Sequence, residues 1–168
     1  TDQLNAGRAV LTNEQQRLEL AELNLSAGKH AKAAAVFATA LRYFKTGLDL
    51  LAEDCWEAHY NLSLALHTQA AEGAFLCSNT DEMEKVTRIV LQHARNPLDQ
   101  VPVYEVKILS LTAQNRWVEA CQAALKILKI LGLNLPTTPS KMQIRLSLLK
   151  TKILLIGKSF DHLAKLPP

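Results

Sequence analysis

The stretch "GKHAKAAAVFATALRYFKTGLDLL" (28–51) decides the fold. Within it Ala33, Phe37, Ala40, Leu41, Phe44, Leu48 and Leu51 recur at the three-and-four spacing of a buried helix face. A second line, Val36, Tyr43 and Leu50, repeats every seven residues on another side, with polar residues between the two. A helix apolar on two sides is sandwiched between neighbours, and small side chains let those neighbours approach closely.

Working outward, Thr12 or Asn13 caps a preceding helix that runs through Ala27 and ends at Gly28. Downstream, Asp54 caps a helix with Leu62, Leu66, Ala70, Gly73 and Cys77 on one stripe, and "CSNT" (77–80) breaks it. Asp81, Glu82 and Glu84 then occupy a first helical turn, where the helix dipole favours acids. That helix reaches about Arg95 and "NPLDQVP" (96–102) closes it; further helices cover 103–113 and 117–131, the last stopped by Gly132. "LPTTPS" (135–140) reads as a linker, and Ser140 caps a final helix carrying Ile144, Leu148, Ile153 and Ile156. No stretch has the alternation of a strand.

Helix pairs in series call for a repeat test. Ala33, Phe37 and Ala40 match Ala120, Ala124 and Ile127, and more weakly Met83, Thr87 and Val90. Ala21, Ala71 and Ile108 each stand twelve residues before the first member of these sets. The resulting spacings, 50 and 37 residues, exceed the roughly 34 of a regular tetratricopeptide array. The expected fold is therefore all-α: an irregular tetratricopeptide-like helical-hairpin solenoid of about seven helices, with a helical bundle as the alternative. Its units are 13–51, 54–95 and 101–132, followed by a final helix over 140–157, all within a single domain over 1–168. The repeat-packing residues are Ala21, Ala33, Phe37, Ala40, Ala71, Ala120 and Ala124.

The composition suits one soluble domain: 168 residues, 48% hydrophobic and 21% charged. Cys55, Cys77 and Cys121 are odd in number and widely spaced, which fits neither a disulfide framework nor a zinc knuckle and points to a reducing, cytoplasmic setting. Cys77 and Cys121 read as small core residues. The six glycines are isolated, so no phosphate-binding loop is present, and no membrane span is expected. Ser147 to Lys150 and Lys45 to Gly47 match fragments of a serine-nucleophile signature but lie inside helix patterns in the wrong order. His59 and His67, eight residues apart, lack ligand spacing, and Trp56 and Trp117 both begin helices, where an aromatic closes a core end. No catalytic, metal or cofactor site is expected.

Charge is uneven. Residues 1–125 hold 11 Lys/Arg against 15 Asp/Glu, whereas 126–168 hold 8 against 1. Lys126, Lys129, Lys141, Arg145, Lys150 and Lys152 thus form a candidate interaction surface, better suited to an acidic domain or partner than to nucleic acid, since aromatics that would read bases are absent from it.

Three segments, "LAELNLSAGKHAKAAAVFATALRYFKTGLDLL" (20–51), "CWEAHYNLSLALHTQAAEGAFL" (55–76) and "ALKILKILGLNLPTTPSK" (124–141), resemble the tetratricopeptide-like helical region of large bacterial signalling multikinases. In that family the region follows a serine/threonine kinase-like domain and a signal-transduction ATPase, and precedes a GAF domain and often a histidine kinase. "TDEMEKVTRIV" (80–90) departs from the family pattern by lacking its small and aromatic pair. The resemblance implies a piece of a longer protein, a non-catalytic connector that binds neighbouring domains or a peptide or protein partner. The alternative is a free-standing helical domain that binds nucleic acid or homodimerises through its basic C-terminal quarter.

Overall fold

The computed structural model describes residues 1–7 and 13–155, and in them the chain is all-helical. Seven helices have 13 residues or more: α2 (Glu14–Ala33), α3 (Phe37–Asp49), α5 (Tyr60–Leu76), α6 (Thr80–His93), α7 (Pro97–Ala113), α8 (Trp117–Ile130) and α9 (Lys141–Leu155). Two are short, α1 (Asp2–Ala6) and α4 (Cys55–Ala58). The chain divides into two compact units, Thr1–Asn134 and Leu135–Pro168. The expected Ile156 position and the end of the 140–157 helix lie outside the described residues.

In the first unit, three hairpins follow one another: α2 with α3, α5 with α6, and α7 with α8. Each turns through the same three-residue connection. Ala35, Ser78 and Asn115 adopt the left-handed conformation with φ of 58°, 57° and 60°. The following N–H reaches back to a carbonyl five residues earlier: Val36 to Ala31 at 2.9 Å, Asn79 to Ala74 at 2.8 Å and Arg116 to Leu111 at 2.9 Å. These bonds satisfy carbonyls that a helix end leaves bare. The end of α8 repeats the pattern, with Gly132 at φ 89° and Leu133 N–H on the Leu128 carbonyl at 2.8 Å.

The opening stretch is consequently not one helix. It contains the last turns of α2, the turn at 34–36 and α3, and Gly28 sits inside α2 instead of ending it. Ala33 is exposed near the end of α2, Phe37 opens α3 half-buried, and only Ala40 of that trio is fully buried. Counted from the left-handed residue, the fifth residue onward is Ala40, Met83 or Ala120, and the twelfth is Gly47, Val90 or Ile127; all six are buried. The hairpins are therefore spaced 43 and 37 residues apart, and the first set of matching positions is Ala40, Phe44 and Gly47. The sequence alignment errs by seven residues, almost two helical turns, a slip that leaves the phase of an apolar stripe unchanged.

A left-handed alanine is costly where glycine is not, by about 1 kcal/mol. Ala35→Gly is expected to raise the melting temperature by a few degrees, and a thermal melt that leaves it unchanged or lowered would contradict this turn geometry.

Two further helix limits differ from the sequence reading. "NPLDQVP" opens α7 instead of separating two helices: the Asn96 side chain accepts from Asp99 N–H, the Asp99 carboxylate accepts from Asn96 N–H, and Pro97 takes the first helical position. Proline is harmless there because that N–H has no helical partner. Pro102 lies within the helix. The helix expected from Asp54 is broken at His59 (φ −131°, ψ 49°) into α4 and α5, and Asp54 makes no side-chain cap bond. The Ser63 hydroxyl contacts the Cys55 and His59 carbonyls, each at 3.0 Å, so the carbonyls around the break remain hydrogen-bonded.

The core is built on small residues. Ala21, Ala40, Ala70, Ala71 and Ala74 are fully buried beside Phe44, Leu66, Val90 and Val103. Helices α2, α5 and α7 touch in sequence, while α3 lies on α5 and α6 on α7. Asn13 caps α2 through Gln15 N–H, and buried Asn24 exchanges two 2.8 Å hydrogen bonds with Asn5, anchoring α1. In the second unit, Ser140 and Gln143 form the reciprocal cap that begins α9.

Candidate interaction site

Where α4, α5 and the α6–α7 turn meet, a polar clasp forms around Trp56. Its indole stacks on His93 at 4.8 Å with planes 10° apart, lies 4.8 Å from the His67 ring, and meets Tyr60 edge-on at 5.8 Å. Arg95 closes the group: its guanidinium lies 4.2 Å above the Tyr60 ring and donates to the Trp56 carbonyl at 2.8 Å. The Tyr60 hydroxyl accepts from Arg95 N–H at 2.8 Å and donates to Asp99, the residue that also caps α7. Burial, then the hydrogen bond to Asp99, holds the Tyr60 phenol above its ordinary pKa. The clasp thereby fixes the second hairpin against the start of the third.

His67 is buried with its Nδ1 2.8 Å from the Ser63 carbonyl, an acceptor that requires a proton on Nδ1. Burial depresses its pKa from 6.5, overriding the carbonyl. The unfolded chain takes up the proton first, so this contribution to stability is whole above about pH 6.5, falls as pH drops through the unfolded value and levels below the folded one. His67→Phe keeps a ring against Trp56 but cannot titrate. Relative to wild type, its melting temperature is expected to improve as pH falls from 7.5 to 5.5; a constant difference would show that folded His67 takes up its proton as readily as the unfolded chain does.

Two clefts lie along the face made by the first helices of the hairpins. One, of about 550 Å³, lies among Glu19 and Glu22 of α2, Glu57, Asn61 and Arg95. The other, of about 270 Å³, is lined by Lys29, Asn61, Thr68, Gln69, Leu98 and Pro102. Asn61 is exposed and shared by both, while Leu98 is 71% exposed at the start of α7. Lys32 of α2 reaches Glu72 of α5 at 2.6 Å and ties the two helices together beside this face. The Gln69 side-chain oxygen is buried without a hydrogen-bond partner.

Of the small residues singled out in the sequence, Ala21, Ala40, Ala71 and Ala120 are buried, Ala124 and Phe37 are half-buried, and Ala33 is exposed. Lys126 and Lys129 are exposed on α8 in the first unit. Lys141, Arg145, Lys150 and Lys152 are exposed on α9 in the second. Cys121 is exposed and Trp117 is 57% exposed, so neither is the core residue its stripe suggests; Trp56 does close a core. His59 lies at the α4–α5 break, 3.9 Å from Glu14, whereas His67 packs on Trp56. Among the described residues no three His, Cys, Asp or Glu side chains are grouped to hold a metal ion, and no helix is long and apolar enough to cross a membrane. Tyr60, Arg95 and Asp99 carry no local sequence signal of such a cluster beyond the Asn-Pro-x-Asp cap at 96–99.

The chain is similar to part of the hybrid signal transduction histidine kinase G of Dictyostelium discoideum, with 25% identity over 141 residues. That match covers 79% of this chain but 4% of the relative, so the chain corresponds to a small segment of a much larger signalling protein. No protein-family profile and no solved structure matches it.

Proposed function

We propose that this chain is a non-catalytic interaction or connector region of a multidomain signalling kinase, a tetratricopeptide-like stack of helix hairpins. The observation that carries this reading is the series of three hairpins with one turn chemistry and adjoining first helices. Each hairpin in such a stack buries its faces on its neighbours, leaving the first-helix face free along its length. The two clefts meeting at Asn61 suit an extended peptide or helix from a neighbouring domain: polar groups from α5 would pair with its backbone, and Leu98 would supply apolar contact. Similarity to a segment of a histidine kinase supports the signalling context.

The test is binding between this chain and the domains that flank it in its parent protein, measured by calorimetry. Asn61→Arg places a long cation where both clefts meet. It is expected to weaken binding at least about tenfold, roughly 1.4 kcal/mol, with the melting temperature unchanged because Asn61 is exposed. Undiminished affinity would remove the first-helix face as the binding surface, and absence of binding to any flanking domain would remove the connector reading.

A further inference from the structure

The segment 135–140 that precedes α9 reads "LPTTPS" and is exposed throughout. It offers three hydroxyls, and their surroundings distinguish them. Ser140 is engaged: its Oγ accepts Gln143 N–H at 3.2 Å while its own N–H donates to Gln143 Oε1 at 2.8 Å. Thr137 is followed by another threonine. Thr138 is followed directly by Pro139, has Lys141 three residues on, and makes no side-chain hydrogen bond among the described residues.

We propose that Thr138 is a phosphorylation site for a proline-directed serine/threonine protein kinase. A kinase must take its acceptor in an extended segment with the hydroxyl free to approach the γ-phosphate. Proline at the next position biases the acceptor residue toward extended backbone and removes one N–H. A substrate groove with an apolar socket and no acceptor at that position selects for it. Lys141 adds a cation that an acidic group in the groove can pair with. The Thr138 Oγ attacks the γ-phosphorus of magnesium ATP, the bond to the β–γ bridging oxygen breaks, ADP leaves, and the hydroxyl proton passes to the kinase's catalytic carboxylate.

The product has a local consequence. A phosphate brings a charge of about −1.5 to −2 to a position two residues before the Ser140 cap. Helix α9 has no acidic residue in its first turn and carries Lys141, Arg145, Lys150 and Lys152. The new charge favours the positive end of the helix dipole and offsets about half of the helix's positive charge. Phosphorylation therefore tightens the start of α9 and weakens its attraction for an acidic partner.

The test uses the full 168-residue chain, a purified proline-directed kinase and ATP, with sites located by fragmentation mass spectrometry. One phosphate is expected, on Thr138. Thr138→Val should abolish it, Pro139→Ala should slow it at least about tenfold and Lys141→Ala several-fold, all with unchanged melting temperature because these positions are exposed. The proposal is overturned if Thr138 stays unmodified while a control peptide is phosphorylated, if the phosphate resides on Thr137 or Ser140, or if Pro139→Ala reacts as fast as the parent. Amide exchange of Gln143 and Ile144 should slow in the phosphorylated chain; an unchanged rate would overturn the effect on α9.

Discussion

Trp56→Ala is expected to lower stability by about 3–5 kcal/mol, the range for removing a buried large aromatic, and the melting temperature by roughly 10–20 °C. The cost is high because Trp56 is 9% exposed and contacts two imidazoles contributed by different helices, His67 of α5 and His93 of α6. Deleting the indole leaves a cavity at the junction of α4, α5 and α6 and strips both rings of their partner. The carbonyl of residue 56 remains, so the Arg95 guanidinium keeps that acceptor and the loss measures the side chain. Trp56→Phe should lose much less, since a ring still fills most of the space. Urea unfolding of the three proteins checks this, with an unchanged slope against denaturant showing that the same surface is exposed. A loss below about 1 kcal/mol for Trp56→Ala would mean that the stack contributes little and the site collapses on removal.

That clasp also marks the boundary between what the chain discloses in one dimension and what it does not. Helical content was legible because apolar positions recur at helical spacing in every long segment, and helix starts were legible where an amide or hydroxyl stands ready to cap, as at Asn13 and Ser140. Of the hairpin turns, those at 77–80 and between 113 and 117 were legible as breaks, whereas the first was not, because its left-handed residue is Ala35, which carries no turn signal, unlike Asn115 or Gly132. The glycine that seemed to mark a helix end, Gly28, marks a close crossing instead, and the proline that seemed to stop a helix, Pro97, starts one. Arg95 meets Trp56 across 39 residues, a contact fixed by how hairpins stack and invisible to local spacing. The same holds for the candidate clefts: Asn61 and Leu98 look ordinary until α2, α5 and α7 are set side by side.

Gly28→Ala is expected to destabilise the chain by roughly 1–3 kcal/mol, although alanine in a helix interior normally gains about 1 kcal/mol over glycine. Sterics decide the sign. A β-carbon at Gly28 would lie 2.3, 2.6 and 2.8 Å from three atoms of the Phe44 ring, well inside van der Waals contact. Phe44 is fully buried within the core, so its ring cannot retreat without displacing close-packed neighbours. Gly73 provides the control. A β-carbon there meets Leu41 and Phe44 at 3.5 Å, ordinary contact, so Gly73→Ala should be neutral or stabilising by up to about 1 kcal/mol. The two glycine substitutions, alike in chemistry and both within helices, are thus expected to differ in sign. Phe44→Leu supplies the third corner: it costs stability alone but makes room, so Gly28→Ala in that background should lose most of its penalty, a coupling of about 1–3 kcal/mol between the two positions. Denaturant unfolding of the four proteins in the cycle measures it. Additive effects, or a Gly28→Ala variant as stable as Gly73→Ala, would mean that α2 and α3 do not cross at Phe44 as closely as the structure has them. The hairpin would then depend on its alanines alone, without the glycine that allows its tightest contact.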